Sequence, residues 1–168
     1  MTNVVEGTNK FSAFCWVKST TTTLNASILS GHYSAALNKR AWRLHYGAAS
    51  TGTLSATMTS DGLTPSGGNS KTYMTPLNTF NKGAWAHFGI TWNAGTLTMF
   101  TNGVPVAPAM STDATFTNVF PSSEPCSIAC VNPSTGGTTF GDVTVDDVRI
   151  YNRALSASEV QTIYNWRP

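Results

Sequence analysis

Trp85-Ala86-His87-Phe88-Gly89-Ile90-Thr91-Trp92 is the stretch that decides the fold. Its aromatic and β-branched residues give the strongest strand signal in the chain. Asn93-Ala94-Gly95 turns it into a second run at Thr96–Thr101, read as a hairpin with a three-residue loop. Asn102-Gly103 supplies the next turn, a dipeptide suited to type I′ geometry because both central residues need positive φ. Pro105 and Pro108 follow, so the returning strand is short or lies at a sheet edge.

The same pattern extends outward in both directions. Residues 11–18 form the first clear strand. In Trp42-Arg43-Leu44-His45-Tyr46 the alternation puts Trp42, Leu44 and Tyr46 on one face and Arg43 and His45 on the other. Residues 53–59 read as its partner, with Leu54, Ala56 and Met58 inward, across a small-residue turn at 47–52. Long Gly/Ser/Asn/Pro-rich loops are expected at 60–76 and 110–125, and further strands at 126–131 and 143–151. Only the tail is helical: Ser156 and Glu159 form a capping box, and Val160, Ile163 and Tyr164 recur at helical spacing. Alternating short strands and turns over 168 residues, without repeat or linker, predict one domain, residues 1–168. Its class is all-β: a two-sheet antiparallel jelly-roll sandwich with one short C-terminal helix.

Composition narrows the function. Charged residues make up 11% of the chain, against about 25% in an average soluble domain, while Ser and Thr fill about a quarter. The net charge of +2 comes without a basic run, which excludes a nucleic-acid partner. No apolar stretch is long enough to insert in a membrane. Residues 1–6 have neither a basic nor an apolar segment of a secretory signal, so the chain reads as a complete, short protein made in the cytoplasm. Cys126 and Cys130, placed on one strand, would sit about 13 Å apart, too far for a disulfide. With Cys15 they read as three reduced, buried thiols.

Three ordered motifs carry a family resemblance. Residues 146–156 (DDVRIYNRALS) resemble the C-terminal signature of the laminin-G-like, pentraxin-like jelly rolls of the concanavalin A-like lectin/glucanase superfamily. Residues 11–18 (FSAFCWVK) resemble that family's early strand, and residues 85–92, continuing to Asn102-Gly103, its central hairpin. Within the signature, Val148 and Ile150 face the core and Asp147 pairs with Arg149. The resemblance implies some 40 further residues before the first strand, a segment that closes the sheet and supplies calcium ligands. This chain starts almost at that strand, so an open N-terminal sheet edge, or one closed by a neighbouring subunit, is expected.

The superfamily includes glycosidases, which need two carboxylates facing each other across the sugar. No E-x-D-x-E run exists here, and Asp146 and Asp147 are neighbours on a strand, so no catalytic residue is assigned and the chain reads as a non-enzyme. His32, His45 and His87 are scattered; His87 reads as a packed, hydrogen-bonded histidine. Asp142 and Asp146 could contribute to calcium, but co-ligands are missing, Asp146 suits a backbone contact, and no metal or cofactor is assigned. The candidate glycan-binding residues are Tyr33, Arg43, His45 and Tyr73: Arg43 and His45 from the polar strand face, Tyr33 and Tyr73 from loops or their flanks.

The expectation from sequence is a non-enzymatic virion-surface protein, a bacteriophage head decoration or tail appendage. Its partners would be other virion proteins or itself, through the N-terminal sheet edge, with a surface glycan as a further ligand. The alternative is a secreted extracellular lectin or adhesin module.

Overall fold

The computed structural model describes residues 9–19, 27–34, 37–46, 52–131 and 142–166, without the side chains of residues 32–34, 110 and 111. The expected turn at 47–52 lies outside them except for Gly52. Eleven strands and one helix follow in order: β1 (Lys10–Lys18), β2 (Ser27–Ser34), β3 (Lys39–Tyr46), β4 (Leu54–Gly62), β5 (Ser70–Met74), β6 (Ala86–Asn93), β7 (Thr96–Thr101), β8 (Val104–Val106), β9 (Met110–Asp113), β10 (Ser127–Ile128), β11 (Thr144–Tyr151) and α1 (Ala157–Asn165). They form two antiparallel sheets, one ordered β11-β1-β6-β7-β8 and the other β10-β2-β3-β4-β5-β9. This is the all-β sandwich expected.

Alternation builds the core. Phe11, Ala13, Cys15 and Val17 of β1 and Phe88, Ile90 and Trp92 of β6 point inward from the first sheet. Trp42, Leu44 and Tyr46 of β3 with Leu54, Ala56 and Met58 of β4 meet them from the second. The Val-, Leu-, Ile-, Phe- and Met-sized side chains among them contribute about 1.5–3 kcal/mol each on burial, which makes this layer the main source of stability. One end is closed by the segment 114–126. There Phe116 packs on Trp92 (ring centroids 5.4 Å), Thr117 O accepts from Trp92 Nε1 at 3.2 Å, and Val119 is buried in the core. Phe120 N then donates to Thr59 O at 2.8 Å, so the segment ties the first sheet to the second.

Several expectations change. The β6–β7 loop has two residues, because Asn93 pairs with Thr96; Ala94 (φ 47°) and Gly95 (φ 99°) both take the left-handed region. Asn102 (φ 50°) and Gly103 (φ 79°) do the same as expected, and β8 lies at a sheet edge. The two long loops each contain a strand, β5 and β9, which pair with one another. The strand expected at 126–131 shrinks to β10, since Ala129 turns to φ 57°. Cys126 and Cys130 therefore do not share a strand. Cys126 is exposed and Cys130 half-buried, so only Cys15 is the buried thiol expected; no disulfide forms. The N-terminal strand is no sheet edge either: β1 pairs with β6 on one side and β11 on the other. Self-association through that edge loses its structural basis.

The C-terminal signature folds as read. Val148 and Ile150 pack against the core, and Arg149 Nε donates to Asp147 Oδ1 at 2.8 Å. A bulge falls here, between the pairs Trp16–Asp146 and Phe14–Arg149, with Asp147 at φ 46°. Helix α1 then docks on the outside of the first sheet, where Leu155 and Val160 join Phe14 and Phe100. Its capping box is complete: Glu159 N donates to Ser156 Oγ at 3.3 Å and Ser156 N to Glu159 Oε2 at 2.8 Å. Ser156→Ala is expected to cost about 1 kcal/mol in a urea titration, and an unshifted midpoint would count against the cap.

Candidate functional site

The outward side of the six-stranded sheet carries a row of small hydroxyls interrupted by one cation. Reading across the strands, Ser127 pairs with Ser30, Ser30 with Arg43, Arg43 with Thr57, Thr57 with Thr72 and Thr72 with Thr112. Paired residues share a face, and at the usual strand spacing the row is about 24 Å long.

His45 gives the row a direction. Its Nδ1 lies 2.8 Å from Tyr46 O, and a carbonyl only accepts, so Nδ1 carries the proton. Nε2 must then accept, and the Thr57 hydroxyl at 3.1 Å is its donor. That commits the Thr57 hydrogen, leaving Thr57 Oγ1 to accept from the Thr72 hydroxyl at 3.3 Å. The chain thus runs Thr72 to Thr57 to His45 to Tyr46 O, and its open end is the pair of lone pairs on half-exposed Thr72. At the other end of the row, Ser30 Oγ and Ser127 Oγ lie 2.6 Å apart and 3.1 and 2.8 Å from Cys130 O; with one proton each, one hydroxyl donates to the carbonyl and the other donates to its neighbour. Half-buried Arg43 stands between, a donor-only group among hydroxyls.

The structure thus brings Arg43 and His45 together and separates the other two candidates from them. His45 is 5% exposed, and both ring nitrogens are engaged. Burial, with Arg43 nearby, pushes its pKa down to about 3, so the ring is neutral at physiological pH. It positions Thr57 and does not itself meet solvent, a correction to its reading as a contact residue. Tyr73 is not in a loop: it lies in β5 opposite core-facing Ala56, packs against the core, and donates through its hydroxyl to Asp113 Oδ1 at 3.1 Å. Lys71 also pairs with Asp113, and this holds the Asp113 carboxyl below its usual range. Tyr33 lies opposite Arg40 near the end of β2, and its side chain is outside the described residues. Ser30, Thr57, Thr72, Thr112 and Ser127 were not singled out in the sequence; among so many Ser and Thr, only strand register aligns them.

His87 is buried and packs on Phe14, Trp16 and Tyr164. Its backbone N–H reaches Asn102 Oδ1 at 3.0 Å, but Nδ1 has no hydrogen-bond partner among the described residues. No three His, Cys, Asp or Glu side chains converge among the described residues, and Asp146 Oδ1 accepts from the Asp147 N–H at 2.8 Å, the backbone contact expected of it.

Two antiparallel sheets packed face to face in this order form a jelly-roll sandwich. A family model described as the concanavalin A-like lectin/glucanases superfamily, laminin-G-like, matches residues 2–161. The chain belongs to this superfamily. No curated protein matches it in sequence. Solved structures share the fold at low identity. A heptameric SAP-like pentraxin of Limulus polyphemus is 15% identical with a TM-score of 0.65, over 95% of this chain and 71% of the pentraxin. A candidate carbohydrate-binding protein of Bacteroides ovatus is 15% identical with the same TM-score, over 92% of this chain and 40% of that one. Trypanosoma rangeli sialidase is 18% identical with a TM-score of 0.60, over 92% of this chain but only 22% of the enzyme. None of these three comes from a virus, so they lend the virion expectation no support.

Proposed function

We propose that this domain is a non-enzymatic carbohydrate-binding module whose ligand lies along the hydroxyl row of the six-stranded sheet. The observation that carries the reading is the directed chain ending at Thr72. It presents an acceptor of fixed orientation two strands along the same row from the Arg43 guanidinium, a donor and an acceptor spaced about 10 Å apart for a sugar lying across the strands. The carbohydrate-binding description of the Bacteroides ovatus relative supports the same class.

Catalysis is not part of the proposal, because the described carboxylates mostly serve structure. Asp113 is held by Lys71, Glu124 by Lys39 (3.5 Å), Asp147 by Arg149 and Glu159 by Arg153 (2.7 Å). Asp61 accepts from the Leu63 N–H at 2.9 Å and from Asn69 Nδ2 at 3.0 Å. Display on a virion surface is retained only as a proposal about location. It rests on the weakly charged, Ser/Thr-rich composition and is tested by looking for the chain in purified particles.

A glycan array should show selective binding, with and without EDTA. Arg43→Ala combined with Thr72→Val is expected to weaken that binding about tenfold or more, since each removes a hydrogen-bonding group worth about 1 kcal/mol. A fully folded double variant with unchanged affinity would overturn the assignment of this face.

A further inference from the structure

The opposite side of the sandwich, outside the five-stranded sheet, holds a second aromatic cluster that the hydroxyl row does not involve. Trp166, at the C-cap of α1, is 66% exposed, and Trp85, just before β6, is 42% exposed. Exposure on this scale is unusual for indoles, which ordinarily find cover. Each is pinned by a cation: Arg149 Cζ lies 4.8 Å from the Trp166 ring centroid and Lys18 Nζ 5.4 Å from that of Trp85. Arg149 is fixed in turn by Asp147 at 2.8 Å. Between them Trp16, half-buried, stacks on Tyr164 with centroids 5.5 Å apart and planes 24° from parallel. Trp16 and Lys18 alternate on one strand, so they share this face about 7 Å apart. The rings therefore lie along one side of β1, held from behind by the sheet, by α1 and by the cations.

From this we infer that the face formed by Trp85, Trp16, Tyr164 and Trp166 is a second carbohydrate-binding site, taking a neutral oligosaccharide. A pinned indole with an open surface matches the apolar face of a pyranose, with little side-chain entropy left to lose. Arg149 and Asp147 neutralise one another, which leaves Lys18 over Trp85 as the one cation named on this face without a carboxylate partner among the described residues. The contact surface itself is the indole rings, which fit the apolar face of a sugar rather than an anion. The inference shares the carbohydrate class of the proposed function and rests on different residues. It makes the domain bivalent, with ligands on opposite faces.

The test is tryptophan oxidation read by mass spectrometry on the intact chain, with laminarihexaose, cellohexaose, xylohexaose or mannohexaose as the probe. At least one should slow oxidation of Trp166 and Trp85 about threefold, and Trp166→Ala should weaken that sugar's binding about tenfold. The protection should persist in the Arg43→Ala, Thr72→Val double variant, which separates this site from the hydroxyl row. Three results would overturn the inference: no protection by any of the four sugars, protection only by an anionic hyaluronan hexasaccharide, or protection that rises with protein concentration without sugar. The last would make the face a contact between copies of the chain.

Discussion

Lowering the pH from 7 to 4 is expected to move the urea midpoint of this domain steeply downward, because two histidines are buried in the neutral state. Burial holds His45 at a pKa of about 3; burial, only partly offset by Asp147, holds His87 at about 4. In the unfolded chain both titrate near 6.5. For such depressed groups the unfolded state takes up protons first. Their stabilisation is therefore complete above pH 6.5 and is lost as the pH falls toward 4 and then 3. Together they amount to something of the order of 5 kcal/mol, comparable with the whole stability of a small domain. His87→Phe, which keeps a ring against Phe14, Trp16 and Tyr164, should remove much of the slope between pH 6.5 and 4. A flat profile above pH 4.5 in the parent protein would contradict the burial of both rings.

Two glycines set the second large effect. A Cβ built on Gly31 would lie 2.0 Å from the Trp42 ring, and one on Gly89 would lie 2.2 Å from the Phe14 ring and 2.3 Å from Ala13 O. Either Gly→Ala change is expected to cost about 3 kcal/mol or more, the upper end of overpacking effects. Their rescue should differ. Trp42→Leu should recover part of the loss in Gly31→Ala, since the clash there is with a side chain. Phe14→Leu should not recover Gly89→Ala, because the Ala13 carbonyl on the paired strand remains in the way. Double-mutant cycles from urea titrations measure both couplings; equal rescue at the two sites would show that the backbone clash is relieved by strand movement.

The parts of this fold that were legible in the sequence are those whose side chains alternate. β1, β3, β4, β6 and β7 each place apolar residues at every second position, and the terminal helix announces itself through its cap. β2 was not legible because a bulge between Ser27 and Leu29 brings Ile28 and Leu29 together and breaks the period of two. β5 and β9 are polar and short, and they become strands only because β4 offers β5 a free ladder and β5 offers one to β9. The candidate site was half legible for the same reason. Alternation put Arg43 and His45 on one face, but how deep each lies depends on the strands beside it. The aromatic face was not read as a site, because Trp85, Trp16 and Trp166 are far apart in sequence and meet only once β1, β6 and α1 are assembled.

The margins of the two sheets have a consequence for crowding. β8 has three residues including Pro105, β9 has four and β10 two, and the one long margin, β11, is bent by its bulge at Asp147. Among the described residues, none of these margins offers a long straight run of open amides on which another chain could grow a ladder. Copies of this domain crowded side by side are therefore expected to meet without ladder growth along these four margins. Their broad faces remain the surfaces through which they meet anything else.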